Sequence, residues 1–224
     1  MRFAYRTGPE VLAIESLIIP RGETVFLHGP SGSGKTTLLG LLSGVLQASR
    51  GSVKVLGADF STMSGGARDA FRARHLGYVF QMFNLIPYLS VRENILLPVR
   101  LEPQRLARIA GMSPDAAAAD MAGQLDIGDL LDRAVAELSV GQQQRVAAAR
   151  ALIGSPEVVI ADEPTSALDS DRRERFLELL FASCRRAGAT LVFVSHDQSL
   201  RPLFSRAVSL AELNGAARAV GAGA

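Results

Sequence analysis

The sequence predicts an α/β fold built on a largely parallel sheet, and three observations carry that expectation. The apolar runs ETVFLHG, EVVIADEP and TLVFVSHD are rich in Val, Ile and Phe, and segments with helical spacing lie between them. Their ends carry His28-Gly29, Asp162-Glu163 and His196, and ligands of parallel sheets bind beyond the carboxyl ends of the strands. The first run also passes through a glycine-rich turn directly into the helical pattern KTTLLGLLSGVLQ.

Taken in order, MRFAY and LIIP read as short β pieces that precede the strand ETVFLHG. After the first helix, Gly51 restarts extended structure with SVKVLG, RDAFRARH is a polar helix, and GYVFQ is a strand that opens a loop at Gln81. From Ser90 to Leu138, Ala, Leu and charged residues at helical spacing predict an insert of roughly two or three helices. A helix starts at Ser139, because Ser139-Val140-Gly141-Gln142 has the S-x-x-Q form of a capping box, worth about 1 kcal/mol. That helix start can also attract an anion through its free N–H groups and dipole. EVVIADEP is the next strand, followed by a long helix near Ser170 to Arg186 and the strand TLVFVSHD. The small-residue tail AARAVGAGA is expected to fray.

The chain has 224 residues, 48% of them hydrophobic, enough for a large core. A net charge of +2 disfavours nucleic acid as the main partner. No apolar run has bilayer-spanning length and the start has no secretory h-region, which predicts a soluble, cytoplasmic protein. The single cysteine, Cys184, fits a reducing compartment and is expected to pack in a helix.

Gly29-Pro30-Ser31-Gly32-Ser33-Gly34-Lys35-Thr36 completes the pattern G-x-x-x-x-G-K-S/T between a strand and a helix. Its glycines let backbone N–H groups converge on phosphate oxygens. Lys35 is expected to bridge the β- and γ-phosphates and Thr36 to bind Mg²⁺. Lys35 and Lys54 are the only lysines, and a compact ammonium suits such a cradle better than a planar guanidinium. Adjacent carboxylates after an apolar strand need a cation, so Asp162 is expected to bind Mg²⁺ and Glu163 to align a water on the γ-phosphate.

Gln81 in YVFQ, LSVGQQQR, DEPTSALD and the histidine of FVSHD follow the phosphate loop in that order. Together they resemble the ATP-binding cassette (ABC) family over nearly the whole chain. The resemblance implies a single 1–224 domain: a P-loop NTPase core with a mainly parallel sheet, an N-terminal antiparallel β subdomain and a helical subdomain, about 90–155, carrying the signature motif. It implies ATP and Mg²⁺, with Gly29–Thr37, Thr37 included, as the phosphate loop, and Glu163, His196, Gln81 and Lys35 as catalytic groups. Thr36, Gln81 and Asp162 become metal ligands. Tyr5 either stacks on adenine or fills the core. Ser139 and Gly141 close over the loop of a second copy in an ATP-sandwich dimer, and Asp169 lies across that interface. The commonest family signature reads LSGGQ, and this chain has Val140 at its first glycine position.

The wording LIPYLSVRENILLP is similar to the lipoprotein-releasing and macrolide-export ATPase group, which implies an integral membrane permease partner and a place on the inner face of the cell membrane. Phe83, Leu85, Ile86 and Tyr88 are expected to form either a buried loop or a groove for that partner. An importer subunit and a soluble ATPase acting on ribosomes or DNA are the alternatives. Two further histidines have no motif role: His75 is expected to be solvated and His28 to pack.

Overall fold

The computed structural model describes residues 1–6, 8–109 and 111–216, so the tail expected to fray lies outside the described residues apart from Ala216. The chain opens with β1 (Arg2–Ala4) and β2 (Glu10–Ala13), an antiparallel pair that places Phe3 opposite Leu12. LIIP forms no strand. Its residues still alternate, with Leu17 and Ile19 packed on the core while Ile18 is 71% exposed. The Ile18 carbonyl accepts from the Arg206 guanidinium at 2.5 Å, a side-chain partner where a strand would need a ladder.

β3 (Thr24–His28) leads into α1 (Lys35–Leu42). The helix stops five residues short of the pattern KTTLLGLLSGVLQ, because Gly44 turns the chain at φ +70°. A second antiparallel hairpin, β4 (Lys54–Val55) and β5 (Ala58–Asp59), precedes α2 (Gly65–His75) and β6 (Leu76–Val79). β6 ends before Phe80, so Gln81 lies beyond the strand.

The expected insert contains α3 (Val91–Leu101), α4 (Pro103–Ala107) and α5 (Pro114–Gln124), then short 3₁₀ turns at Gly128–Leu130 and Val135–Glu137. α6 (Val140–Leu152) starts at Ser139 with the expected capping box: Gln142 N–H donates to Ser139 Oγ at 3.4 Å and Ser139 N–H to Gln142 Oε1 at 2.9 Å. β7 (Val158–Asp162), α7 (Ser170–Ala187) and β8 (Thr190–Val194) follow. The chain then adds β9 (Arg206–Ser209), an edge strand not expected from the sequence, and α8 (Leu210–Leu213).

The main sheet has the order β6-β7-β8-β3-β9, and every pairing in it is parallel. Both faces are covered, which is why Val159, Ile160, Phe26, Phe193 and Leu191 are all fully buried. Cys184 packs in the core from α7, as expected, and burial pushes its thiol up to about 12. Arg105 of α4 is 3% exposed and ties α4 to the end of α6 and the start of β6: its guanidinium donates to the carbonyls of Ile153, Leu76 and Ala151 at 2.8, 3.0 and 2.5 Å. That burial lowers its pKa to about 10.

His75 is not a solvated helix residue. Its Nδ1 lies 3.2 Å from Glu157 Oε2, its ring sits 4.6 Å from Phe71, and Arg108 grips the same carboxylate with two contacts of 2.9 Å. His28 stacks on Phe26 at 5.6 Å, and burial lowers its pKa, in keeping with a packing role. Among the described residues no helix is long and apolar enough to cross a membrane.

Candidate nucleotide site

Strand order assembles the site. β6, β7, β8 and β3 are consecutive neighbours, so Gln81, Asp162-Glu163, His196 and the Gly29–Thr36 loop emerge side by side at one end of the sheet. These groups are far apart in sequence and meet only because the sheet is parallel.

The loop is shaped for backbone approach to a ligand. Gly32 and Gly34 have φ of +77° and +96°, and a Cβ on Gly29 would lie 2.8 Å from Ser33 Oγ. The Ser33 hydroxyl is buried without a hydrogen-bond partner. Lys35 folds its Nζ back to donate to the carbonyls of Gly29 and Pro30 at 2.8 and 3.0 Å. Pro30, Ser31 and Gly32 are exposed at the mouth, as is Thr36 at the helix start.

Among the described residues, α1 is the α-helix whose N-terminus has no side-chain cap. Ser64, Ser90, Glu102, Ser113, Ser139, Asp169 and Ser209 cap the other seven. Its first N–H groups and its dipole are therefore left for an external anion.

Asp162 ends β7 half-buried. Burial raises its pKa, the Glu163 charge raises it further, and Lys35 opposes both. A carboxylate in that position gains from a cation, which fits the donor set expected for Mg²⁺: one carboxylate, one hydroxyl and one amide. Glu163 takes a left-handed conformation at φ +46°, held by its N–H donating to the Val194 carbonyl of β8 at 2.9 Å. This turns its carboxylate towards His196, whose Nδ1 lies 2.6 Å from Glu163 Oε2. Arg173 of α7 pairs with Asp197, and the charges of Arg173 and His196 help Ser199's hydrogen bonds hold the Asp197 carboxyl below its ordinary value.

Tyr5 is 51% exposed, so it does not fill the core, and its hydroxyl lies 3.2 Å from Thr37 Oγ1 at the loop. Ser139 is exposed at the α6 start, and Val140 is 49% exposed. A Cβ on Gly141 would meet only Leu168 Cδ2, at 3.7 Å, so packing within this chain does not demand glycine there. Asp169 caps α7 through Arg172 N–H at 3.0 Å. Ser139 and Gly141 line one cavity with Leu168 and Arg172, and Asp169 starts α7 between the latter two, so the three residues lie on the α6–α7 side.

Gln81 is exposed and stands at the start of a loop held by two residues that sequence reasoning missed. Arg150 donates to the carbonyls of Phe83 and Asn84 at 2.6 and 2.7 Å, where both residues have positive φ. Asn94, fully buried, accepts from Ile86 N–H at 2.8 Å and donates to the carbonyls of Ile86, Leu89 and Ser90. A buried polar residue on the apolar face of α3 was the available signal. Of the four residues expected to form a buried loop or a groove, Phe83 is buried, Leu85 and Ile86 are half-buried and Tyr88 is 83% exposed; Met82, outside that set, is 81% exposed beside them.

An uncapped helix start behind a glycine cradle, beside a carboxylate pair and a histidine, defines a nucleotide-binding ATPase of the phosphate-loop class. The chain belongs to the ABC transporter family, whose model matches residues 13–166. It is 43% identical over 200 residues to the uncharacterized ABC transporter ATP-binding protein YbbA of Escherichia coli K12, covering 89% of this chain and 86% of that one. It is 38% identical over 208 residues to the lipoprotein-releasing system ATP-binding protein LolD of Bacteroides fragilis, covering 92% and 93%. Among solved structures, the dimeric post-hydrolysis state of the ATP-binding cassette MJ0796 bound to ADP and Pi matches with a TM-score of 0.80 and 31% identity, over 93% of this chain and 90% of that one. The chain binds ATP and is an ATPase.

Proposed function

We propose that this chain is a nucleotide-binding domain, with a helical subdomain at about 90–155, that dimerises around ATP and powers a membrane transporter of export or lipoprotein-release type. The observation that carries the reading is the Glu163–His196 contact of 2.6 Å at the mouth of an uncapped phosphate loop. Gly29–Thr37 cradles the phosphates, and Lys35 exchanges its two loop carbonyls for β- and γ-phosphate oxygens. Tyr5, exposed beside Thr37, stacks on adenine. Glu163 accepts a hydrogen bond from the attacking water, and His196 holds that carboxylate in place and reaches the γ-phosphate.

Thr36, Gln81 and Asp162 would hold Mg²⁺. Held there, the ion would supply positive charge to offset that of the phosphates.

Ser139 is exposed and Gly141 half-buried beside it, and the glycine is not demanded by internal packing. Both features support a phosphate contact across a dimer, to ATP held by a second copy, with Asp169 at the same interface. The solved neighbour MJ0796 is itself dimeric, which supports this assembly. Met82 and Tyr88, exposed apolar side chains on a loop pinned by Asn94 and Arg150, are the surface offered to an integral membrane permease. Through that contact the chain lies on the inner face of the cell membrane in this reading, and its net charge of +2 argues against nucleic acid as the main partner. Co-purification from native membranes tests the reading. A polytopic permease is the expected companion, and ATPase stimulation by ribosomes or DNA instead overturns it.

A further inference from the structure

The three consecutive glutamines after Gly141 differ in how they are used. Gln142 closes the capping box, and Gln143 Nε2 donates to the Leu138 carbonyl at 3.0 Å. Gln144 is fully buried, and neither its Oε1 nor its Nε2 has a partner. A cavity of about 290 Å³ adjoins it, between α6 and α7, bordered by Asp126, Leu168, Arg172 and Phe176. A buried carboxamide with no hydrogen bond is destabilising, and leucine or methionine would pack the same position without that penalty.

The other polar groups on the cavity are already engaged. Arg145 donates to the carbonyls of Leu125 and Asp126 and lies 3.6 Å from the Asp126 carboxylate, Arg175 takes the same carboxylate at 2.8 Å, and Arg172 lies 3.4 Å from Asp169. α6 and α7 commit their carbonyls to their own ladders. The remaining wall is the non-helical turn Glu163–Asp169, which reaches the cavity through Leu168.

We infer that Gln144 is a positioning residue for hydrolysis: when the 163–169 turn moves into this cavity, a backbone carbonyl of the turn accepts a hydrogen bond from the Gln144 carboxamide. The proposal rests on the reading of Glu163 as the water-aligning carboxylate. Glu163 begins that turn with a left-handed backbone, so a shift of the turn re-aims its carboxylate. The unpaired amide of the resting chain thereby favours the state in which Glu163 is set for attack. Satisfying a buried polar group only in that state supplies the differential contact a population shift requires.

Gln144→Met, close in shape and without the amide, tests this. The expected result is a thermal midpoint unchanged or raised, KM for ATP within about twofold of the parent, and kcat lowered at least tenfold. Gln144→Leu is made in parallel and should behave alike. Turnover within about twofold of the parent overturns the proposal. So does a raised KM at constant kcat, or a loss of folding or of midpoint in both variants, because the amide would then be satisfied by ordered water in the resting packing. Glu163→Gln is the control: if it keeps full turnover, the role given to Glu163 fails, whatever the Gln144 variants do.

Discussion

His196 Nδ1 lies 2.6 Å from Glu163 Oε2, joining the ends of the neighbouring strands β7 and β8. The glutamate is the more enclosed partner, with 17% of its side chain exposed against 68% for the histidine. The pair therefore presents an inner carboxylate held by an outer ring that can swing towards a ligand.

Glu163→Gln keeps the size of the side chain and removes its basicity. Turnover is expected to fall by about 10²–10⁴ with ATP binding retained. Sizing chromatography with ATP should show a dimer for this variant; a monomer at all ATP concentrations contradicts the sandwich assembly.

Asp162→Asn should separate stability from function. Burial and the Glu163 charge raise the Asp162 pKa in the fold, so its contribution to stability is fully present below the unfolded value and is lost as pH rises through the folded value. At neutral pH the ionised carboxylate opposes folding, and the amide should raise the thermal midpoint while abolishing Mg²⁺-dependent ATPase activity. The stability gain should vanish in acid, below the unfolded carboxylate value of about 4. A lower midpoint at neutral pH refutes this account.

Asn94→Ala removes the side chain that pins the loop after Gln81 at four backbone groups. The Ile86 N–H is left without its acceptor, while the carbonyls of Ile86, Leu89 and Ser90 keep their backbone donors, and the loss of all four bonds should cost about 2–3 kcal/mol in urea unfolding. A loss under about 0.5 kcal/mol would mean the loop holds itself.

Val140 is half-exposed at the α6 start, and a Cβ on the glycine after it would meet only Leu168 Cδ2, at 3.7 Å. Val140→Gly is expected to leave ATPase activity within about twofold and to lower stability by roughly 0.5–1 kcal/mol through backbone entropy. A several-fold rise in activity would show that the valine side chain hinders closure of the dimer.

The parts of the fold legible in the sequence are those set by neighbours in the chain. The eight-residue loop from Gly29 to Thr36 and the Ser139–Gln142 capping box depend on backbone conformations and hydrogen bonds within a few residues, so residue type and spacing were enough. Strand and helix periodicity likewise located β3, β7, β8, α6 and α7. LIIP was misread because its alternation is that of an extended segment, and strand pairing depends on a partner that local sequence does not reveal. β9 was missed for the complementary reason: Arg206–Ser209 is short and weakly patterned, and pairing with β3 makes it a strand.

The sequence by itself determined that this chain binds a nucleotide phosphate, because that chemistry resides in one contiguous loop. Only the tertiary structure decided that Glu163 meets His196, that Tyr5 stands at the loop instead of in the core, that His75 is paired, and that Gln144 is buried without a partner. Each of these rests on contacts between residues distant in sequence or on the packing around a side chain. The order of strands in the sheet and the seating of α6 against α7 create them, and no local rule of conformation specifies either one.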